Sequence, residues 1–380
     1  MTKFLPKNKL FVQALWLALI VRLYLQLLAG LALKLVSFKG SFPYWDVFLK
    51  PNGPDWLWLW GNFDGVHYIT IAKEGYAYGL TQAFFPLYPN LIKFFNFFIH
   101  NYLISGLIIS HLCLVGFIYY FIKLGRLDYS AKTLRWSLLL LLLFPTSFFF
   151  FGLYTESLFL FLAAWCLYLC RTKRFLLAAL IAGLASATKL MGIFLLPAIL
   201  WEYYHVNKKI SPVNLIKISL LGSSGLIVYL SYLQRRFHNF LIFVTAQPGF
   251  GAGRQVDSFV MIYQVIYRYI KMFFGVSMQN EIYPVLVVEF SISIIFLGLI
   301  VYALLKKFRS SYLLFLIPAY LLPTLTGSFS SMPRYVLTAF PLLYFVAAIK
   351  PKWPKFLWLA ISLILLSWAF IRFSRGYWIS

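Results

Sequence analysis

Long continuous apolar runs, separated by short basic or aromatic-polar connectors, fill almost the whole chain. The runs do not alternate with period two, so they predict helices rather than the strands of a barrel. Spans are expected over residues 10–38, 102–123, 133–151, 154–170, 212–233, 283–305, 312–326, 335–349 and 356–373, because about 20 residues of helix cross a bilayer core. The run 175–204 is too long for one span and is interrupted by the polar Ser186–Lys189 stretch (SATK). It predicts two short helices meeting at depth with Lys189 at the break, an arrangement tolerated where the backbone lines a cavity. The aromatic segment 84–100, with two prolines, is short for a span and reads as interfacial or re-entrant. Two polar, turn-rich stretches, Lys39–Gln82 and Gln234–Tyr283, stand out as long loops.

Composition agrees with this pattern. Hydrophobic residues make up 62% of the chain and charged ones 12%, whereas a soluble domain carries roughly 25% charged residues. The expectation is an all-α polytopic membrane protein, one integral membrane domain over residues 1–380, with about nine to eleven transmembrane helices. The formal charge of +24 would suggest nucleic acid on a soluble protein. Here Lys and Arg cluster between apolar runs, as the positive-inside rule requires, so the partners implied are anionic membrane lipids and not nucleic acid.

The basic clusters lie at Lys3, Lys7 and Lys9, Lys123–Arg135, Arg171–Arg174, Lys208 and Lys209, Lys306–Arg309, and Lys350–Lys355. Keeping them cytoplasmic puts the N-terminus inside and the C-terminus outside, with both long loops, Glu156 and Arg334 on the extracytoplasmic face. No small-residue cleavage site follows the first apolar run, which therefore reads as a retained span. Cys113, Cys166 and Cys170 lie within apolar runs without metal-ligand spacing and read as packing residues.

One stretch concentrates the chemistry. Asp55–Tyr76 (DWLWLWGNFDGVHYITIAKEGY) holds three of the ten acidic residues, Asp55, Asp64 and Glu74, together with His67. Asp64 and His67 are three apart and share a face if the stretch is helical. Asp55 reads as a turn or interface residue and Glu74 as the end of a short helix. Asp64 can take a proton from an attacking hydroxyl, and His67 can orient it or donate to a leaving phosphate. Lys189, Arg254 and Arg334 suit a phosphate held at the lipid boundary, where fixed positive charge stabilises a leaving group. Arg22 and Gln26, four apart inside the first span, form a polar pair at membrane depth. The remaining histidines, His100, His111, His205 and His238, have no ligand spacing and read as structural, and the GFGAG run at Gly249–Gly253 reads as a flexible turn.

The order of motifs resembles the PIG-V-like family of mannosyltransferases. NFDGVHYITIAKEGY is similar to that family's first-loop signature, and FFPLYP, FPTSFFFFGLYTESLF, GLASATKLMGIFLLP, AQPGFGAGR and MPRYVLTAFPL follow, over about residues 55–345. Phe63 stands where a tryptophan is expected before the aspartate. The resemblance implies a multi-span, C-type (GT-C) glycosyltransferase fold, a polyprenyl-phosphate sugar donor, transfer on the extracytoplasmic face and Asp64 as the catalytic aspartate.

The resulting expectation is an inverting transferase that moves a sugar, mannose by the resemblance, from a lipid-linked donor to a glycan, glycolipid or protein hydroxyl. Asp64 acts as base, Lys189, Arg334 and Arg254 bind the donor phosphate, and His67, Tyr68, Tyr154, Glu156 and Gln247 shape the substrate site. No cofactor is expected, because a lipid monophosphate donor does not require the divalent metal that Asp64 and His67 could share. The compact loops favour a bacterial plasma membrane over the endoplasmic reticulum. The rival is a lipid or glycan transporter or flippase, which wants several mid-membrane ionisable groups and an internal repeat; Arg22, Lys189 and Glu289 are the depth candidates and no repeat is visible. A multi-span acyltransferase would need an embedded histidine base, and His111 has no supporting motif.

Overall fold

The computed structural model describes residues 9–207 and 211–379, so the basic residues Lys3, Lys7, Lys208 and Lys209 lie outside the described chain. Among the described residues there is no strand. The helices of eight or more residues are α1 (Lys9–Leu35), α2 (Asp64–Glu74), α3 (Leu87–Ile99), α4 (Tyr102–Gly125), α5 (Ala131–Leu142), α6 (Glu156–Arg171), α7 (Phe175–Ser186), α8 (Leu195–Asn207), α9 (Pro212–Phe237), α10 (Ile262–Gly275), α11 (Tyr283–Leu305), α12 (Ser310–Thr324), α13 (Pro341–Ala348) and α14 (Trp353–Ser374). Helices α1, α4, α9, α11 and α14, of 22–27 residues, are long and apolar enough to cross a membrane. At 1.5 Å per residue they exceed the ~30 Å hydrocarbon core.

Three expectations change. The run 133–151 is not one helix: α5 stops at Leu142 and the chain turns through a 3₁₀ segment, Ser147–Phe150. Pro145 is the reason, since it disfavours helical backbone at Phe144 and cannot donate to the ladder. The run 335–349 is likewise divided, into a 3₁₀ turn at Val336–Ala339 and the eight-residue α13, which begins at Pro341. Both long loops carry helix: the first, read as turn-rich, holds turns at Trp45–Phe48 and Asp55–Trp58 followed by α2, and the second, 234–283, holds the 14-residue α10.

Other boundaries fall as the pattern predicts. Helix α11 covers 283–305, and α2 ends at Glu74. Helix α7 ends at Ser186 and Lys189 is extended (φ −151°, ψ 148°) before a 3₁₀ turn at Leu190–Phe194, so the SATK stretch does break the long run.

The chain divides into two compact units. Unit 1 comprises residues 1–73, 88–168 and 340–378; unit 2 comprises 74–87, 169–339 and 379–380. In unit 1, α1 packs against α4, α5 and α14, and α13 packs against α5. Tyr344 on α13 donates its buried hydroxyl to Phe121 O at 2.6 Å. Lys355, one of the basic connector residues, donates to Ala347 O and Ile349 O at 3.0 and 2.6 Å and so caps α13, satisfying carbonyls that a helix end leaves without partners.

In unit 2, α7 and α9 make the most extensive pairing. Gly183 and Gly225 face the partner backbone so closely that a Cβ on either would collide with a carbonyl oxygen. The contact therefore needs glycine, and the Leu226 N–H adds a hydrogen bond to Ser186 Oγ at 3.1 Å. Helix α8 is fastened to α12 by buried Glu202, which accepts from Arg309 Nε and Nη2 at 2.7 and 2.9 Å and from Ser311 at 2.6 Å. A basic residue assigned by pattern to membrane orientation thus also closes a fork-shaped ion pair. Glu289, a depth candidate, accepts from the Tyr269 hydroxyl at 2.6 Å within the same unit.

Candidate functional site

The residues singled out from sequence fall into both units, and each group has its own geometry. Asp64, His67, Tyr68, Tyr154 and Glu156 belong to unit 1; Lys189, Gln247, Arg254 and Arg334 belong to unit 2.

In unit 1 the build begins at Asn62, which is fully buried. Its amide donates to Phe373 O at 2.7 Å and to Ser374 O at 3.3 Å, and its own carbonyl accepts the Tyr154 hydroxyl at 2.6 Å. Leu153 N donates to Trp60 O at 2.9 Å. The backbone just before Asp64 is thereby stitched to the tip that carries Glu156. Next comes Phe63, whose φ is 61°. This left-handed backbone is costly for a bulky residue. It is held by aromatic contacts with Phe42, Phe373 and Trp378, at centroid separations of 4.6, 5.9 and 5.7 Å. The kink starts α2, and Asp64 is its first residue.

Asp64 and Glu156 both open helices, α2 and α6. His67 lies one turn after Asp64, and both are half-buried. Burial pulls the His67 imidazole below its ordinary value, and the Asp64 carboxylate pulls it part of the way back. His67 is therefore neutral near pH 7 and can accept a proton or donate a neutral N–H. Tyr68 and Thr155 hydroxyls lie 3.4 Å apart, and the Tyr68 ring meets Tyr88 edge-on at 5.1 Å. Tyr88 is fastened in turn to Ser110 Oγ and Gly106 O at 2.7 and 3.0 Å. Asp55 accepts from Trp58 Nε1 at 2.9 Å and serves the turn that carries it, as its position after Gly53-Pro54 predicts.

In unit 2 the motifs lock to one another. Tyr76 donates to Phe84 O at 2.8 Å, Tyr229 to Gln82 O at 2.6 Å, and Leu87 N to Ala187 O at 2.9 Å. The FFP segment is therefore tied directly to the SATK break. The AQPGFGAGR stretch places Phe250 edge-on to Phe84 at 5.6 Å. Its Gly251, Ala252 and Gly253 are successive left-handed residues (φ 75°, 58°, 63°), the geometry of a defined turn. Arg254 Nη1 donates to Gln247 Oε1 at 3.4 Å.

Lys189 and Arg334 meet at a residue the sequence pattern did not select. Lys189 Nζ lies 5.9 Å from the centre of the Tyr335 ring and Arg334 Cζ 5.4 Å from it. Two cations from the SATK and MPRY motifs therefore share one aromatic ring, whose electron-rich face favours positive charge. Cations placed on one ring in this way suit an oxyanion ligand. Tyr335 stands beside Arg334 in the sequence, which is the signal that could have selected it; Tyr88, inside FFPLYP, is the equivalent in unit 1.

Among the described residues no three His, Cys, Asp or Glu side chains gather as a metal centre. No protein-family model, no curated protein and no solved structure matches the chain.

Proposed function

We propose that the protein is a membrane glycosyltransferase of C-type architecture, with about nine to eleven membrane-crossing segments when short and broken helices are counted. Its donor is a polyprenyl-phosphate-linked sugar, mannose by the motif resemblance, and its acceptor is a hydroxyl on a glycan, glycolipid or protein. The basic connectors orient it with the N-terminus inside, so that transfer occurs on the extracytoplasmic face of a plasma membrane.

The observation that carries this reading is the convergence of Lys189 and Arg334 on Tyr335. In the proposed reaction the acceptor oxygen attacks the anomeric carbon, the bond from that carbon to the phosphate oxygen breaks with inversion, and the lipid leaves as its phosphate. Asp64 takes the acceptor proton. Lys189 and Arg334 stabilise the charge that develops on the leaving phosphate, with Arg254 joining them, and electrostatic stabilisation of this kind is a large source of rate. His67, Tyr68, Tyr154, Glu156 and Gln247 shape the substrate site. The ordered hydrogen bonds that lead to Asp64 supply the preorganisation this chemistry needs.

The test is incubation of purified protein with labelled polyprenyl-phosphate mannose and an acceptor extract, reading product and free lipid phosphate. Transfer by wild type, lost in Asp64→Asn without change in melting, supports the proposal. Bilayer translocation of the lipid without bond cleavage would instead favour a flippase.

A further inference from the structure

Arg22 occupies the midpoint of α1, and the chemistry proposed above gives it no role. Its Nη1 donates to Gln26 Oε1 at 2.7 Å, and its guanidinium lies 3.9 Å from the centre of the Trp60 ring. Gln26 is itself fixed: Oε1 also accepts from Trp60 Nε1 at 3.1 Å and Nε2 donates to Trp56 O at 3.2 Å. The guanidinium is thus held from two sides, and among the described residues no carboxylate pairs with it. A cation at membrane depth requires a counter-charge or water.

Arg22 lines a cavity of about 400 Å³ together with Leu57, Ile104, Leu107, Ile108, His111 and Leu112. This is the size of a small-ligand site. All of these residues belong to unit 1. Apart from Arg22 and His111 the lining is aliphatic, and Ile108 and Leu112, on the long apolar helix α4, are 36% and 59% exposed. The groove is therefore open along the flank that acyl chains would cover.

His111 defines the ligand more closely. Its Nδ1 lies 2.7 Å from Leu107 O. A carbonyl can only accept, so Nδ1 carries a hydrogen and the ring has only Nε2 left for a ligand. Neutral Nε2 accepts a proton. A phosphodiester has none to give, whereas a phosphate monoester, with a second ionisation near pH 6, holds one part of the time. With the imidazole protonated, the dianionic monoester is again the better partner.

We propose that the Arg22–His111 groove is a binding site for the phosphate monoester headgroup of a membrane lipid, with Arg22 taking the phosphate oxygens, His111 sharing the proton and the aliphatic wall taking the chain. The lipid released by the transfer proposed above is of this class. Binding is nevertheless measured without turnover, so its outcome is independent of that reading.

The test is native mass spectrometry of the full chain in detergent, titrated with dioleoyl phosphatidic acid, dioleoyl phosphatidylglycerol or inorganic phosphate. The monoester lipid is expected to bind about tenfold more tightly than the diester, the worth of one net charge-assisted hydrogen bond. Arg22→Gln is expected to lose at least that factor, and His111→Phe to bind both lipids equally. Leu112→Trp, which blocks the groove from its exposed edge without touching Arg22, is expected to lose lipid while melting unchanged, and it decides the matter if Arg22→Gln misfolds. Equal wild-type affinity for the two lipids, or undiminished phosphatidic acid binding in both Arg22→Gln and Leu112→Trp, overturns the proposal. Displacement of lipid by an equal concentration of inorganic phosphate would make it a free-phosphate site and overturn it as well.

Discussion

The buried hydroxyl of Tyr154 donates to the backbone carbonyl of Asn62 across 2.6 Å, and so fixes the chain two residues before Asp64 from a point 92 residues away. Both groups are inaccessible to water, so nothing replaces the bond when it is removed. Tyr154→Phe should cost about 2 kcal/mol of stability, the cost of leaving a buried acceptor without its donor. If the proposed sugar transfer is the activity, the variant should also lower its turnover more than it raises KM. Thermal melting and steady-state kinetics on the purified variant check both; an unchanged turnover with the same melting loss would leave Tyr154 as a packing residue alone.

Phe63 separates two energies that usually move together. Its ring packs among Phe42, Phe373 and Trp378, while its backbone sits at φ 61°. Phe63→Ala and Phe63→Gly both delete the ring, but only glycine adopts this backbone without penalty. The glycine variant should therefore be more stable than the alanine variant by about 1 kcal/mol. This is the reverse of the order that holds inside a helix, and chemical or thermal denaturation decides it.

The His67 imidazole is held below the ordinary histidine value of 6.5. The unfolded chain therefore binds its proton more readily than the native one, and between the two values stability rises with pH. The contribution is complete above about pH 6.5 and is lost as the pH falls toward the native value. Melting measured from pH 7.5 down to 5 should fall less steeply in His67→Gln than in wild type. Parallel curves for the two proteins would rule out this source of acid sensitivity.

If Lys189 and Arg334 act as one anion-binding centre on Tyr335, removing either should weaken donor binding by about tenfold or more, as for a charge-assisted hydrogen bond. The double variant should lose less than the product of the two. Lys189→Met, Arg334→Met and the pair, compared by competition with an unlabelled lipid phosphate, give the coupling directly; strict additivity would mean two independent cations.

Arg309 holds buried Glu202 by two hydrogen bonds, at 2.7 and 2.9 Å. Arg309→Ala strands that carboxylate beside Ser311 and should cost about 2 kcal/mol, less than a fully enclosed pair because the arginine is partly exposed. Arg309→Ala combined with Glu202→Gln should recover part of the loss, since no charge is then left behind. Melting of the two variants beside wild type reads this without any assay of activity.

The amino-acid sequence by itself determined the helical class, the long apolar helices, the break at Lys189 and the end of α2 at Glu74. Each depends on residues close in the chain: an apolar run sets a span, a polar interruption breaks it, and a helix stops where its periodicity ends. Prolines are local signals too, and Pro145 and Pro341 account for the two runs, 133–151 and 335–349, that look continuous by hydrophobicity and are not. Only the tertiary structure decided what Asn62, Lys189 and Arg22 touch. Tyr154 reaches Asn62, Lys189 and Arg334 share Tyr335, and Arg22 and His111 line one groove. The physical reason is that such contacts join residues tens to hundreds of positions apart. Their geometry is set by the packing of whole helices, for which no run of neighbouring residues carries the signal.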